Sequence, residues 1–224
     1  MFSSRLWQLF LDSFPKILLP GLTATIPLTI ISFSLALVIA VVAALVQFAN
    51  IQGLKQIARF YIWIFRGTPL LVQLFVVFFG LSRVGIVLDP FPAAVIVFSL
   101  NEGAYCAETI RAALESVPKG QLEAGLCAGL SYLQTIFRIV LPQAMRTAFP
   151  PLSNSLISMV KDTSLARVIA LQEVIWMGES FMKGNSGIAG LTWPLFFTAI
   201  YYLVFSGVVT VLLGKLEQKL AFFQ

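Results

Sequence analysis

The chain has 224 residues, 58% of them hydrophobic and only 11% charged. A soluble domain carries about 25% charged residues, so this composition excludes an ordinary soluble fold and points to a chain solvated by a bilayer. There is no His, and the net charge of +5 comes from scattered Lys and Arg. The commonest metal ligand and acid–base group is therefore missing, and no basic stripe exists to bind nucleic acid.

Residues 1–19 mix Arg5, Asp12 and Lys16 with apolar side chains. No small-residue cleavage site follows, so this stretch is expected to be an interfacial helix that stays on the protein. The segment 20–224 reads as one transmembrane domain with five spans. The first covers about 20–49 and carries no charge from Gly21 to Ala49. About 20 residues cross the hydrocarbon, so this run is long enough with tilt.

The second span, about 57–81, is interrupted by Arg66-Gly67-Thr68-Pro69. Gly and Pro there predict a kink or local unwinding whose freed backbone groups must be covered by protein. Arg66, beside that break, reads as an anchor that snorkels to a membrane face. The third span, about 92–113, contains Asn101, Glu102, Tyr105, Glu108 and Arg111. A polar stretch over 114–148 follows, with a helical pattern of its own. The fourth span, about 150–177, is interrupted by Lys161-Asp162-Thr163-Ser164, and the fifth, about 191–213, is uncharged.

An odd number of spans puts the termini on opposite sides. The loop after span one, the 114–148 stretch and the C-terminal tail hold Lys55, Arg59, Arg111, Lys119, Arg138, Arg146, Lys215 and Lys219; the other side holds Arg5, Lys16, Arg83 and Lys183. The richer side is expected to be cytoplasmic, with the N-terminus outside and the C-terminus inside. Cys106 and Cys127 imply neither a disulfide framework nor a metal site.

Three features carry candidate chemistry. Asn101, Tyr105 and Glu108, at i, i+4 and i+7, share one helix face and form a polar stripe suited to a translocation path. Asp162 and Thr163 are a second polar group within a span. A carboxylate in hydrocarbon costs at least about 2.5 kcal/mol and is tolerated when it faces a cavity, a partner or a substrate. Glu108 or Asp162 can meet the ammonium of an amino acid, and Asn101, Thr163 or backbone N–H groups near Gly67 its carboxylate. The structural alternative pairs Glu108 with Arg111 and neutralises Asp162 with Lys161 or Arg66. Third, the segment Gly120 to Pro142 mixes polar and apolar residues, with Gly129 placed for a sharp turn and Pro142 placed to begin or end an element. It is either a rigid knob for a partner or an ordinary connection.

The spacing of that segment resembles the EAA loop of permeases in ABC importers: Glu-Ala-Ala, three residues, Gly, nine residues, Ile, one residue, Leu-Pro. Glu123, Ala124, Gly129, Ile139, Leu141 and Pro142 fall at the matching positions. Gly125 stands for the usual second Ala, a small-for-small exchange. The resemblance implies that Glu123, Ala124, Gly125 and Gly129 belong to a coupling helix seated in a cleft of an ATP-hydrolysing subunit. Phe65-Arg66-Gly67-Thr68-Pro69-Leu70, Ala104 to Arg111, Leu141 to Ala144 and Lys161 to Leu165 are similar to the polar amino acid branch of these permeases, with cystine permeases closest in wording.

The family implies an all-α, type I importer permease fold in a bacterial cytoplasmic membrane. It also implies separate ABC ATPase subunits, an extracytoplasmic amino-acid-binding protein and a second permease copy, identical or similar. The chain lacks the Gly-x-x-x-x-Gly-Lys-Ser/Thr phosphate loop. It is therefore expected to be a transport subunit rather than an enzyme, with no cofactor of its own and ATP-Mg held by the partner. The alternative is an ion-coupled transporter or channel using the membrane carboxylates.

Overall fold

The structure is a computed structural model describing residues 18–184 and 193–221, together with residues 8, 11 and 14–16. Most of the expected interfacial helix over 1–19, including Arg5 and Asp12, and part of the loop before the last span therefore lie outside the described residues. Among the described residues every regular element is helical.

A π-helical turn, Gly21–Thr25, leads into α1 (Ile26–Phe48). α2 (Leu54–Gly67) and α3 (Leu70–Phe75) follow, α3 being extended by a π turn, Val76–Gly80, and a last turn, Leu81–Arg83. Next come α4 (Pro90–Ser116), α5 (Lys119–Cys127) and α6 (Tyr132–Thr135). A π turn, Ile136–Val140, then runs directly into α7 (Leu141–Asp162). A 3-10 segment, Thr163–Ile169, precedes α8 (Val174–Gly184), and α9 (Trp193–Ala221) is the last helix.

The break expected at Arg66–Pro69 is a 103° bend between Leu54–Gly67 and Leu70–Arg83. Proline at position 69 disfavours helix for its predecessor, and Thr68 is extended, with φ −121° and ψ 142°. Two carbonyls released there find new donors, as an apolar setting demands. Thr68 Oγ1 donates to the Ile64 carbonyl at 2.8 Å, and Asn101 Nδ2 donates to the Phe65 carbonyl at 3.2 Å. The interruption read at Lys161–Ser164 is also present: α7 stops at Asp162 and the chain tightens into the 3-10 segment.

The helix that carries the fourth expected span begins before Pro150: α7 runs from Leu141 through both Pro150 and Pro151. It starts at Leu141-Pro142, where a proline in the first turn removes only a donor that has no intrahelical partner. Among the described residues two stretches are long and apolar enough to cross a membrane, Phe14–Phe48 and Leu195–Lys219, with a third if the bent pair is one span. α4 has the length, but Glu102, Glu108, Arg111 and Glu115 lower its apolarity.

The chain forms two compact units. The first comprises Met1–Ser32, Leu70–Val97 and Ile157–Val211. Its buried apolar side chains include Leu28, Leu74, Val97, Met159, Ile169 and Val174. The second comprises Phe33–Pro69, Phe98–Leu156 and Leu212–Gln224. Its core is rich in alanine: Ala40, Ala43 and Ala44 of α1, Ala58 of α2, Ala104 and Ala107 of α4, and Ala144 and Ala148 of α7. Small side chains let helices approach closely, and close van der Waals packing is what holds helices together where lipid is as apolar as leucine.

Candidate functional site

The knob predicted between Gly120 and Pro142 is a compact helical hairpin within the second unit. Its turn is fixed by local chemistry. Gly129 adopts φ +82°, the left-handed region that suits glycine. Around it the Leu130 N–H donates to the Gly125 carbonyl at 3.1 Å and the Gly129 N–H to the Leu126 carbonyl at 3.0 Å. This paired pattern closes the C-terminus of α5 as a Schellman motif. Ser131 then caps α6: its hydroxyl accepts from the Gln134 N–H at 3.3 Å, and Gln134 Oε1 accepts from the Ser131 N–H at 2.9 Å.

Gly125 is the point where α5 meets the following turn. A Cβ built there would lie 2.4 Å from Thr135 Cγ2 and 3.0 Å from Ile139 Cδ1. A side chain at this position therefore requires its neighbours to shift, small as the exchange between Gly and Ala is. The missing methyl is the space that Thr135, fully buried, occupies. Glu123 and Ala124 are exposed on the outer side of α5, beside Leu126 and, from the second limb, Tyr132 and Leu133. The knob is short-coupled at both ends. Only Val117-Pro118 separate α5 from α4, and the Ile136–Val140 turn passes into α7 without a loop.

Asn101, Tyr105 and Glu108 lie on α4 in the second unit, but each is engaged differently. Asn101 is buried and bonded to the α2 backbone, as noted above. Tyr105 is 42% exposed, and the Arg66 guanidinium stands over its ring, 5.3 Å from the centroid. Glu108 pairs with Arg111, which also reaches Glu115 at 2.6 Å. The pairing alternative is thus the arrangement found for Glu108. The head group of Arg66, read as a snorkelling anchor, rests on the Tyr105 ring.

Asp162 and Thr163 belong to the first unit. Asp162 is the hinge residue where α7 gives way to the 3-10 segment. Among the described residues of this unit no Lys or Arg nitrogen lies within 4.0 Å of its carboxylate, so Lys161 acts on it only at longer range. Thr163 is fully buried, and its hydroxyl donates to the Val160 carbonyl at 2.6 Å.

The sequence reading missed Glu173, a fully buried carboxylate in the first unit. Its oxygens accept the N–H groups of Ile175 and Trp176, at 2.9 and 2.8 Å, and the Tyr202 hydroxyl at 2.8 Å. Two of these donors are first-turn amides of α8, so the Glu173 carboxyl caps the N-terminus of that helix. The only sequence signal was a lone Glu immediately before a helical run. Glu102 was also set aside. It is buried and accepts from the Cys106 thiol at 3.5 Å. Cys127 is exposed on the knob, and both cysteines are free thiols.

Comparisons with known proteins agree with this geometry. Residues 36–222 match the family described as the binding-protein-dependent transport system inner membrane component. The chain is 49% identical over 168 residues to the L-cystine transport system permease protein TcyB of Bacillus subtilis (strain 168), covering 75% of this chain and 72% of that protein. It is 38% identical over 186 residues to the probable glutamine ABC transporter permease protein GlnP of the same organism, covering 82% and 85%. Among solved structures it superposes on a chain of an amino acid ABC transporter crystallised with histidines. The TM-score is 0.85 at 28% identity, over 93% of this chain and 96% of that one.

Proposed function

Because this chain belongs to the family of binding-protein-dependent transport system inner membrane components, we infer that it is the membrane-spanning subunit of an ATP-driven importer of polar amino acids. The observation that carries the mechanism is the knob: a surface fixed by its own hydrogen bonds and joined to two long helices with almost no slack. An ABC ATPase, binding ATP-Mg, grips the face around Glu123, Ala124 and Leu126. When the ATPases close, the knob moves as a rigid body. Val117-Pro118 passes the displacement to α4, and the Ile136–Val140 turn passes it to α7.

Movement of α4 carries Asn101 and Tyr105, and movement of α7 carries Asp162. These are the residues proposed to line the path. Two such permeases, identical or similar, enclose that path between them and alternate its opening between the two sides. An extracytoplasmic binding protein delivers the substrate. The chain lies in a bacterial cytoplasmic membrane with five spans, its N-terminus outside and its C-terminus and knob inside. The excess of Lys and Arg on the knob side supports that orientation. L-Cystine is the first substrate to test, since TcyB is the permease of an L-cystine transport system.

The test is reconstitution of the permease with its ATPase and binding protein in proteoliposomes, with uptake of labelled L-cystine, L-glutamine, L-arginine and L-histidine measured. The expected result is ATP-dependent uptake of at least one of them. Uptake that proceeds without nucleotide and follows an ion gradient overturns the reading.

A further inference from the structure

The polar stripe on α4 does not stand open to a ligand on its own account. Asn101 is committed to the Phe65 carbonyl, and Glu108 is committed to Arg111. The two stripe residues one turn apart, Asn101 and Tyr105, both engage the C-terminal end of α2: Asn101 holds its backbone and Tyr105 carries the Arg66 guanidinium on its ring. The stripe is thus a mount, and what it mounts is a cation.

Arg66 is exposed, and among the described residues no carboxylate oxygen lies within 4.0 Å of it. A cation over an aromatic face keeps its edge N–H groups free, because the ring takes only the flat face of the guanidinium. Arg66 also stands eleven residues beyond Lys55 on the same helix, roughly 16 Å of axial rise. If Lys55 marks the membrane surface, as the orientation above requires, Arg66 is near the middle of the hydrocarbon. A guanidinium there needs an aqueous cavity or an anionic partner. Its planar fork matches a carboxylate with two parallel hydrogen bonds.

We propose that Arg66, held on Tyr105, is the group that binds the α-carboxylate of the transported amino acid. This assignment rests on the reading of the chain as an amino acid permease and adds the chemistry of recognition to it. Selectivity for a free carboxylate then resides in the α2–α4 junction. Tyr105 is a positioning residue that keeps the guanidinium facing the path.

The experiment is equilibrium binding to the purified permease–ATPase complex without the binding protein, so that only the membrane site discriminates. The probes are L-cystine, L-glutamine, L-arginine and L-histidine, each beside its α-amide (the diamide for cystine, which has two α-carboxylates), in which every α-carboxylate is replaced by a neutral group. Wild type is expected to prefer the acid by about tenfold or more, the worth of a charge-assisted hydrogen bond. Arg66→Gln should bring acid and amide to equal affinity, Arg66→Lys should retain part of the preference, and Tyr105→Ala should weaken acid binding while sparing the amide. Recovery with the ATPase in normal yield verifies assembly of each variant.

If Arg66→Gln does not assemble, Arg66→Lys and Tyr105→Ala carry the test, and an unchanged acid preference in both overturns the assignment. Retention of the full preference in an assembled Arg66→Gln complex overturns it directly. Binding of none of the four amino acids by wild type removes the amino acid reading itself, and the carboxylate site with it. Binding with Arg66 dispensable removes only the site.

Discussion

The knob of α5 and α6 and the last helix, α9, both present apolar side chains outward, yet they are built on opposite principles. α9 exposes Leu203, Val204, Val208, Val211 and Leu212, and little of its apolar stretch is buried by the rest of the chain. Over the stretch that carries these residues its surface is that of an ordinary helix with hydroxyl-to-backbone bonds such as Ser206 to Tyr202, the Tyr202–Glu173 bond lying at its edge. The knob exposes Leu126, Tyr132 and Leu133 among polar neighbours, and its backbone is fixed by a Schellman motif, a capping box and the Gly125–Thr135 contact. A uniformly greasy cylinder suits a fluid solvent, whereas a mixed surface of fixed shape suits a protein cleft. On the function proposed above, exposed apolar residues meet lipid on α9 and a partner on the knob.

Substitutions can break or sharpen this contrast. The largest expected effect is from one Asp placed in both regions. Val208→Asp, at the middle of α9, should cost about 3 kcal/mol of membrane insertion and lower the yield of inserted protein. Leu133→Asp should leave insertion unchanged while weakening ATPase association, as co-purification would record. Equal insertion of the two variants would erase the distinction. Next, Gly125→Val should cost about 1–3 kcal/mol through overpacking against Thr135 and Ile139, read as a lower thermal midpoint of the detergent-solubilised chain. Gly129→Ala should cost about 1–2 kcal/mol for a side chain in the left-handed region, by the same measurement. The smallest effect is expected from Leu212→Ala on α9, within about 0.5 kcal/mol, because lipid fills the space that a protein core would leave empty.

What could be read from the sequence was local. The bend after Gly67 is written in Gly67-Thr68-Pro69 and the knob turn in Gly129, whereas Pro142 left open whether an element begins or ends there. Each of these depends on backbone chemistry within a few residues. What escaped was set by packing between distant segments. Thr135 lies ten residues beyond Gly125 and reaches it only through the hairpin. Tyr105 meets Arg66 across 39 residues, and Tyr202 meets Glu173 across 29. Helical periodicity placed Asn101, Tyr105 and Glu108 on one face correctly. It could not show that Asn101 and Glu108 are spent on partners within the chain, because their partners' positions depend on how α2 bends and where Arg111 turns.

The lever itself can be probed through a residue already in the chain. Cys127 is an exposed free thiol on the knob, whereas Cys106 is buried. In sealed vesicles of known orientation, a membrane-impermeant maleimide should label Cys127 from the cytoplasmic side only, and bound ATPase should slow that labelling markedly. Labelling from the opposite side, or a rate indifferent to the ATPase, would contradict the account of the knob as the handle of an external motor.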